Sequence, residues 1–302
     1  YSISPYFCIV KFNKEPMEHS KKTTREEYQK CVNAVVDYIN LHLGEEIDLK
    51  SLAKISHFSP FYFHRIMKAF LGEPIGTFIV RTRTEAAARL LRYSDLPIAD
   101  IAYRIGYSSP SSLSKIFKQF YGISPIEYRN NKNFVIMKPA IIRPNLELKK
   151  EIREVPARNV IYIRLFGDYK LNDYGGTWMR LFQFIKEEKL PMGDMSPYCI
   201  YHDDPKVTPA DKLRTDVCMV MPAAVTPKSD IGFKQLPAGR YAVFTYKGSY
   251  EHLQSVYDTI YSKFLPEMEC TLRDEPSAER YLNDPYETKP EDLLTEIYIP
   301  VE

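Results

Sequence analysis

Two stretches of the chain, residues 59–72 and 109–122, read alike position by position. The first runs Ser59-Pro60-Phe61-Tyr62-Phe63-His64-Arg65-Ile66-Met67-Lys68-Ala69-Phe70-Leu71-Gly72. The second runs Ser109-Pro110-Ser111-Ser112-Leu113-Ser114-Lys115-Ile116-Phe117-Lys118-Gln119-Phe120-Tyr121-Gly122. Each opens on a serine suited to cap a helix, places proline where its fixed φ suits the first helical turn, and closes on glycine. The matched pairs Phe63/Leu113, Ile66/Ile116, Met67/Phe117 and Phe70/Phe120 recur at helical spacing and predict one buried stripe per helix. Arg65/Lys115 and Lys68/Lys118 fall off that stripe. A short apolar helix precedes each copy, at Leu49–Ser56 and Ile98–Ile105, with only a few residues between. Helix, tight turn and a second helix with a polar outer face is the helix-turn-helix pattern, and a duplicated copy confines this half of the chain to an all-helical fold. Gly44 ends an upstream helix whose stripe is Val32, Val35, Val36, Ile39 and Leu43. Phe78–Tyr93, rich in Ala, Leu and Arg, is a long helix between the two units.

Charge divides the chain in two. From Lys50 to Lys132 there are 13 Lys+Arg and 5 Asp+Glu, a balance of +8; from Glu151 to Glu302 there are 18 and 25, a balance of −7. The basic half suits a polyanion and the acidic half disfavours one. A length of 302 residues suits two domains. No apolar run is long enough for a membrane span, and the start shows no signal-peptide pattern. The cysteines, Cys8, Cys31, Cys199, Cys218 and Cys270, are odd in number and lack metal-ligand or disulfide spacing, so a reducing, cytoplasmic setting is expected, without cofactor or metal.

Residues 30–130 resemble the DNA-binding domain of the AraC/XylS family of transcription regulators. The resemblance rests on Pro97-Ile98-Ala99-Asp100-Ile101-Ala102-Tyr103-Arg104-Ile105-Gly106-Tyr107, then Phe117-Lys118, then Gly122-Ile123-Ser124-Pro125-Ile126-Glu127-Tyr128-Arg129. It implies that two recognition helices enter successive major-groove segments of double-stranded DNA about 34 Å apart, so that a monomer can bind. It places base contacts at Phe61, His64 and Arg65 on the first helix and at Ser111, Ser112 and Lys115 on the second. Arg65 suits a bidentate guanine contact and Phe61 a thymine methyl. Lys68 and Lys118 suit phosphates. The bland alternative for His64, Lys68 and Lys118 is a solvated surface side chain.

Residues 131–150 lose helical period and read as a linker with one short strand at Phe134–Met137; residues 1–24 form an unassigned extension before the domain at 25–130. The rest, 151–302, is again a repeat. Val155-Pro156-Ala157 returns as Leu236-Pro237-Ala238, Tyr201-His202-Asp203-Asp204-Pro205 as Tyr281-Leu282-Asn283-Asp284-Pro285, and Arg214-Thr215-Asp216-Val217-Cys218-Met219 as Leu294-Thr295-Glu296-Ile297-Tyr298-Ile299. Each unit reads strand, helix, strand, strand. Two such units predict an α+β domain of pseudo-symmetric repeats with helices on one sheet face, leaving the other face and the seam for a ligand. Strand alternation sets Ile297 and Ile299 toward the helices and Glu296 with Tyr298 on the opposite side; the repeat puts Asp216 at the equivalent place. Carboxylates beside aromatic rings, with Trp178 and Tyr250 near the helix starts, suit a lipophilic cation. Against this, Glu296 would serve equally as a solvated strand charge, and Trp178 as core.

This half resembles the GyrI-like effector-binding domains, on Leu236-Pro237-Ala238-Gly239-Arg240-Tyr241, Trp178, the Tyr281–Pro285 motif and the ending Glu296-Ile297-Tyr298-Ile299-Pro300-Val301. The resemblance implies a small amphipathic, often cationic ligand held by a glutamate, here Glu296; some domains of this kind resemble hydrolases, but no enzyme is expected here. Together the two resemblances imply a transcription activator that meets RNA polymerase. The competing readings are a small-molecule hydrolase with Glu296 as base or nucleophile, and a protein-interaction module. No Ser/His/Asp order, phosphate loop or metal-ligand spacing supports catalysis.

Overall fold

In this computed structural model, residues 19–56, 58–131, 133–191, 196–268, 270–273 and 275–302 are described, with residues 19–24 and Phe61 described in their backbone only. Cys8 and the extension up to residue 18 lie outside the described residues. The helices are α1 (His19–Leu41), α2 (Leu49–Ile55), α3 (Pro60–Leu71), α4 (Ile75–Tyr93), α5 (Ile98–Arg104), α6 (Pro110–Tyr121) and α7 (Pro125–Asn130). The local rules act as the sequence predicts. Ser59 accepts from the Tyr62 N–H and Ser109 from the Ser112 N–H, while Gly72 and Gly122 end α3 and α6 at φ of 68° and 73°. A side chain at either glycine would be strained in that left-handed turn.

The buried stripes form two cores. Val32, Val35, Val36, Ile39, Leu52, Phe63 and Met67 pack with Ile75 and Phe78 at the start of α4. Ile101, Ala102, Leu113, Phe117 and Tyr128 pack with Ala87 and Leu91 further along the same helix. One helix therefore contributes to both helix-turn-helix cores and fixes their spacing. Of the eight matched stripe positions, only Phe120 is exposed.

The remaining elements are β1 (Lys149–Val155), β2 (Arg158–Phe166), α8 (Tyr174–Glu187), β3 (Pro197–Tyr201), β4 (Arg214–Met221), β5 (Gly232–Leu236), β6 (Gly239–Lys247), α9 (Leu253–Thr259), a π-helical turn (Ile260–Phe264), α10 (Leu265–Glu267), β7 (Ser277–Tyr281) and β8 (Leu294–Val301). The strands form one antiparallel sheet in the order β1-β6-β8-β7-β3-β4-β2-β5. The order is symmetric about the β7–β3 seam. Each repeat has one strand more than its sequence suggests, and those extra strands are exchanged: β1 pairs with β6 of the second repeat, β5 with β2 of the first. The strand expected at Phe134–Met137 does not form. There the Met137 N–H donates to the Lys206 carbonyl at 2.9 Å, and Phe134 and Ile136 pack on the second helix-turn-helix core instead.

Both α8 and α9 cover the same sheet face, with Leu181 and Ile185 on Ile161, Val217 and Met219, and Val256 and Ile260 on Phe244, Ile297 and Ile299. The helical half docks on the sheet through buried ions. Asp37 of α1 accepts from the Arg164 guanidinium at 2.6 Å and from the Tyr162 hydroxyl at 2.5 Å. Arg164 also holds Asp216 at 2.7 Å. Arg214, buried over the Phe78 ring, donates to Asn40 of α1 at 3.1 Å and to Asp203 at 2.6 Å. None of the four described cysteines is paired.

Candidate ligand cavity and nucleic-acid interface

The seam between the repeats is open. α8 and α9 each cover their own half of the sheet and leave β3 and β7 uncovered between them, because the helices follow the repeats. Above these two strands lies a cavity of about 810 Å³. Tyr201, Glu279 and Tyr281 rise from the strands, Tyr174 and Trp178 come from α8, Tyr257 and Tyr261 from α9 and the π-helical turn, and Tyr250 from the turn before α9. The π-helical turn widens the helix by one residue next to this wall, a feature that recurs at functional sites.

The rings are set edge to face. Trp178 meets Tyr281 at 5.4 Å between centroids and 75° between planes, and Tyr250 meets the same ring at 5.3 Å and 73°. The Tyr281 hydroxyl donates to Glu279 at 2.5 Å and lies 3.0 Å from the Tyr201 hydroxyl. Glu279 is 2 % exposed. Burial pushes its carboxyl up to about 7, and the Tyr281 phenol opposes this only in part. Among the described residues, the side chains bonded to it are the phenols of Tyr281, Tyr257 and Tyr201. Of the other polar groups that line the cavity, His202 is bonded to Asp216, Asp203 to Arg214 and Lys206 to Asp258; Arg89, Lys170, Asp204, Glu251, His252 and Glu275 line it as well. The buried Tyr257 hydroxyl faces the Glu279 carboxyl. Together these groups can take an amphipathic guest with one positive or hydrogen-bonding centre: the rings supply apolar area and negative faces, and Glu279 supplies a charge that ionises when the guest is a cation.

The five expected ligand residues divide. Trp178 and Tyr250 line the cavity; Glu296, Tyr298 and Asp216 do not. β7 and β8 pair with Arg280 opposite Glu296 and Glu279 opposite Ile297, so Glu296 faces away from the cavity and Glu279 into it. Glu296 is 2.9 Å from Arg153 and accepts from the Tyr298 hydroxyl at 2.6 Å. Burial alone would raise its carboxyl, but Arg153 outweighs that and holds it below the usual range. An ionised, arginine-bound carboxylate outside the cavity gives the Glu296 hydrolase reading no support. Asp216 is fully buried; desolvation would raise its carboxyl, but the Arg164 and Lys234 cations and the His202 hydrogen bond outweigh that and hold it well below the usual range. Of the two places the repeat left for a ligand, the other face and the seam, the cavity lies at the seam, on the helix face, whereas Glu296 lies on the other face. The signal that could have found Glu279 was the alternation Glu279-Arg280-Tyr281, which sets it beside a tyrosine of the repeated motif.

On α3, His64, Arg65 and Lys68 are exposed on one side, opposite Phe63 and Met67; the Phe61 side chain lies outside what is described. On α6, Ser111, Lys115 and Lys118 are exposed. Ser112 is half-buried, its hydroxyl 3.0 Å from that of Ser109, the capping residue. Tyr62, beside the expected contacts, is tied to Tyr28 of α1 at 2.6 Å between hydroxyls, which holds the start of α3.

Residues 149–302 match the GyrI-like small molecule binding domain family, and residues 52–131 match a helix-turn-helix domain family. The chain is 33 % identical over 129 residues to the regulatory protein PocR of Salmonella typhimurium, covering 42 % of each chain. It is 30 % identical over 118 residues to the HTH-type transcriptional activator AarP of Providencia stuartii, covering 39 % of this chain and 87 % of AarP. The chain thus spans well under half of PocR. Among solved structures, the EcmrR–DNA complex aligns over 89 % of this chain and 94 % of that one, at 15 % identity and a TM-score of 0.45. With a GyrI-like domain over half of its length and an AraC-type helix-turn-helix domain before it, the chain belongs to the GyrI-like small molecule binding domain family.

Proposed function

We propose that the chain is a sequence-specific DNA-binding transcription regulator, acting in the cytoplasm as an activator, whose residues 151–302 bind a small amphipathic cation. The observation that carries the effector reading is the buried Glu279, ringed by phenols at the floor of an aromatic cavity. The DNA reading rests on two capped helices with basic outer faces on a common helix, within residues 25–130. His64, Arg65, Ser111, Ser112 and Lys115 read bases, with Phe61 beside them, while Lys68 and Lys118 hold phosphates. AarP is named a transcriptional activator, which supports the same role here and with it a contact to RNA polymerase.

The test is calorimetry on the full chain with tetraphenylphosphonium and its neutral relative triphenylphosphine oxide. The cation should bind saturably and more tightly than the neutral compound, and Glu279→Gln should lose at least tenfold of that preference while Glu296→Gln keeps it. Equal binding of both compounds, or loss in Glu296→Gln alone, would sink the assignment.

A further inference from the structure

The cavity is not closed by the sheet domain alone. Tyr93, at the last turn of α4, lines it, with its ring 4.7 Å from that of Tyr261 and 34° from parallel. α4 is the helix shared by both helix-turn-helix cores. Beside Tyr93, part of the wall is one loop, residues 202–213, whose first residues line the cavity. Further along, Val207 is buried in the core of the second helix-turn-helix unit, and its carbonyl accepts from Tyr121 at the end of α6 at 3.5 Å. Lys212 then donates to the Leu71 carbonyl at 3.2 Å, the last turn of α3. The loop therefore touches the cavity and the C-terminal ends of both recognition helices. Its repeat counterpart, residues 282–293, carries the 88 % exposed Tyr286 and has no such contacts among those described.

We propose that the effector cavity is an interdomain site, with Tyr93 of the DNA-binding half as a ligand-contacting residue and the 202–213 loop as the element that links cavity occupancy to the setting of α3 and α6. This rests on the effector reading above. It adds that the DNA-binding half is part of the site rather than a passenger. Linkage then follows by thermodynamic necessity: whatever factor a bound cation applies to DNA affinity, bound DNA applies to cation affinity. The factor differs from one only if docking on DNA shifts α4 or the loop relative to the cavity, and both elements span that boundary.

Two measurements test this, and they fail separately. The first needs no ligand. Trp178 is the only tryptophan in the chain and lines the cavity, so its fluorescence reports on the cavity alone. Adding a duplex selected by the chain itself from a random pool should shift or quench Trp178 emission saturably, and Lys212→Ala should reduce that change at full DNA occupancy. The second measures DNA affinity with and without saturating tetraphenylphosphonium. A change of at least fivefold is expected, matched by an equal change in cation affinity when DNA is saturating. Tyr93→Ala should weaken cation binding at least fivefold, whereas Lys212→Ala should leave cation affinity without DNA unchanged and shrink the linkage. Cation binding with no change in DNA affinity, silent Trp178 emission and a neutral Tyr93→Ala would overturn the interdomain site while leaving the Glu279 assignment standing. Failure of the cation to bind, with Trp178 still responding to DNA, would remove Glu279's role and Tyr93's ligand contact, and keep only the loop's coupling. A silent Trp178 with no cation binding overturns both.

Discussion

A single carboxyl decides how the cavity responds to pH. Glu279 sits near 7, raised by burial, so at neutral pH it is divided between neutral and ionised forms. A cation binds the ionised form. Above pH 7 the site is already charged and affinity should be flat. Below it each bound cation must displace a proton, so affinity should fall about tenfold per pH unit. Calorimetry in buffers of different ionisation enthalpy should register proton release near neutrality, and Glu279→Gln should show neither release nor slope. The same residue shows why the site was only half legible in the sequence. Alternation correctly separated Glu296 from Ile297, and the aromatics near the helix starts pointed at Trp178 and Tyr250. What alternation cannot say is that helices and cavity share a face, since that depends on how far two helices spread over eight strands. Glu279 was one register step away, on a neighbouring strand, and only pairing distinguishes it.

At the scale of the element, the recognition helices were almost wholly readable, because caps, proline, stripe and glycine are local and agree with each other. What each exposed residue does there can be separated by the form of its loss. Arg65→Ala should cost about 1–3 kcal/mol of DNA binding and relax preference at one or two base positions, as removal of a base contact does. Lys118→Ala should weaken all sequences alike and lower the slope of log affinity against log salt by about 1. Quantitative gel shifts against a duplex pool at several salt concentrations distinguish the two; a Lys118→Ala that alters sequence preference would place it on a base instead. The exchanged edge strands β1 and β5 were not legible, for their pairing is decided across the repeat boundary, where no sequence period applies.

At the scale of the molecule, the halves are joined by charges withdrawn from water. Arg164 lies between Asp37 of the helical half and Asp216 of the sheet. Removing it alone takes the guanidinium from the half-buried Asp37 and leaves the buried Asp216 to Lys234 and His202, so Arg164→Ala should destabilise the full chain by about 3 kcal/mol in denaturant unfolding. Acid should do the same work. The Asp216 carboxyl is held well below the usual range, because Arg164 and its neighbours outweigh desolvation. Its contribution is therefore complete above the unfolded pKa, about 4, and is lost as pH falls below it. Segregated charge in the sequence announced two partners for two halves. It did not announce that the seam between them would be ionic, since those residues are scattered over α1, β2, β4 and the intervening loop.

The exchange of β1 and β5 also sets an order of events during synthesis. β1 leaves the ribosome some ninety residues before its partner β6, and β8, which lies between β6 and β7, comes last of the described strands. The reading helices, whose contacts are local, can be complete while the sheet is still an open set of edges. On the proposed function, a nascent chain interrupted late would thus hold two finished helix-turn-helix units and no complete effector domain. Under that proposal, the strand that arrives last is the one on which any response to a ligand waits.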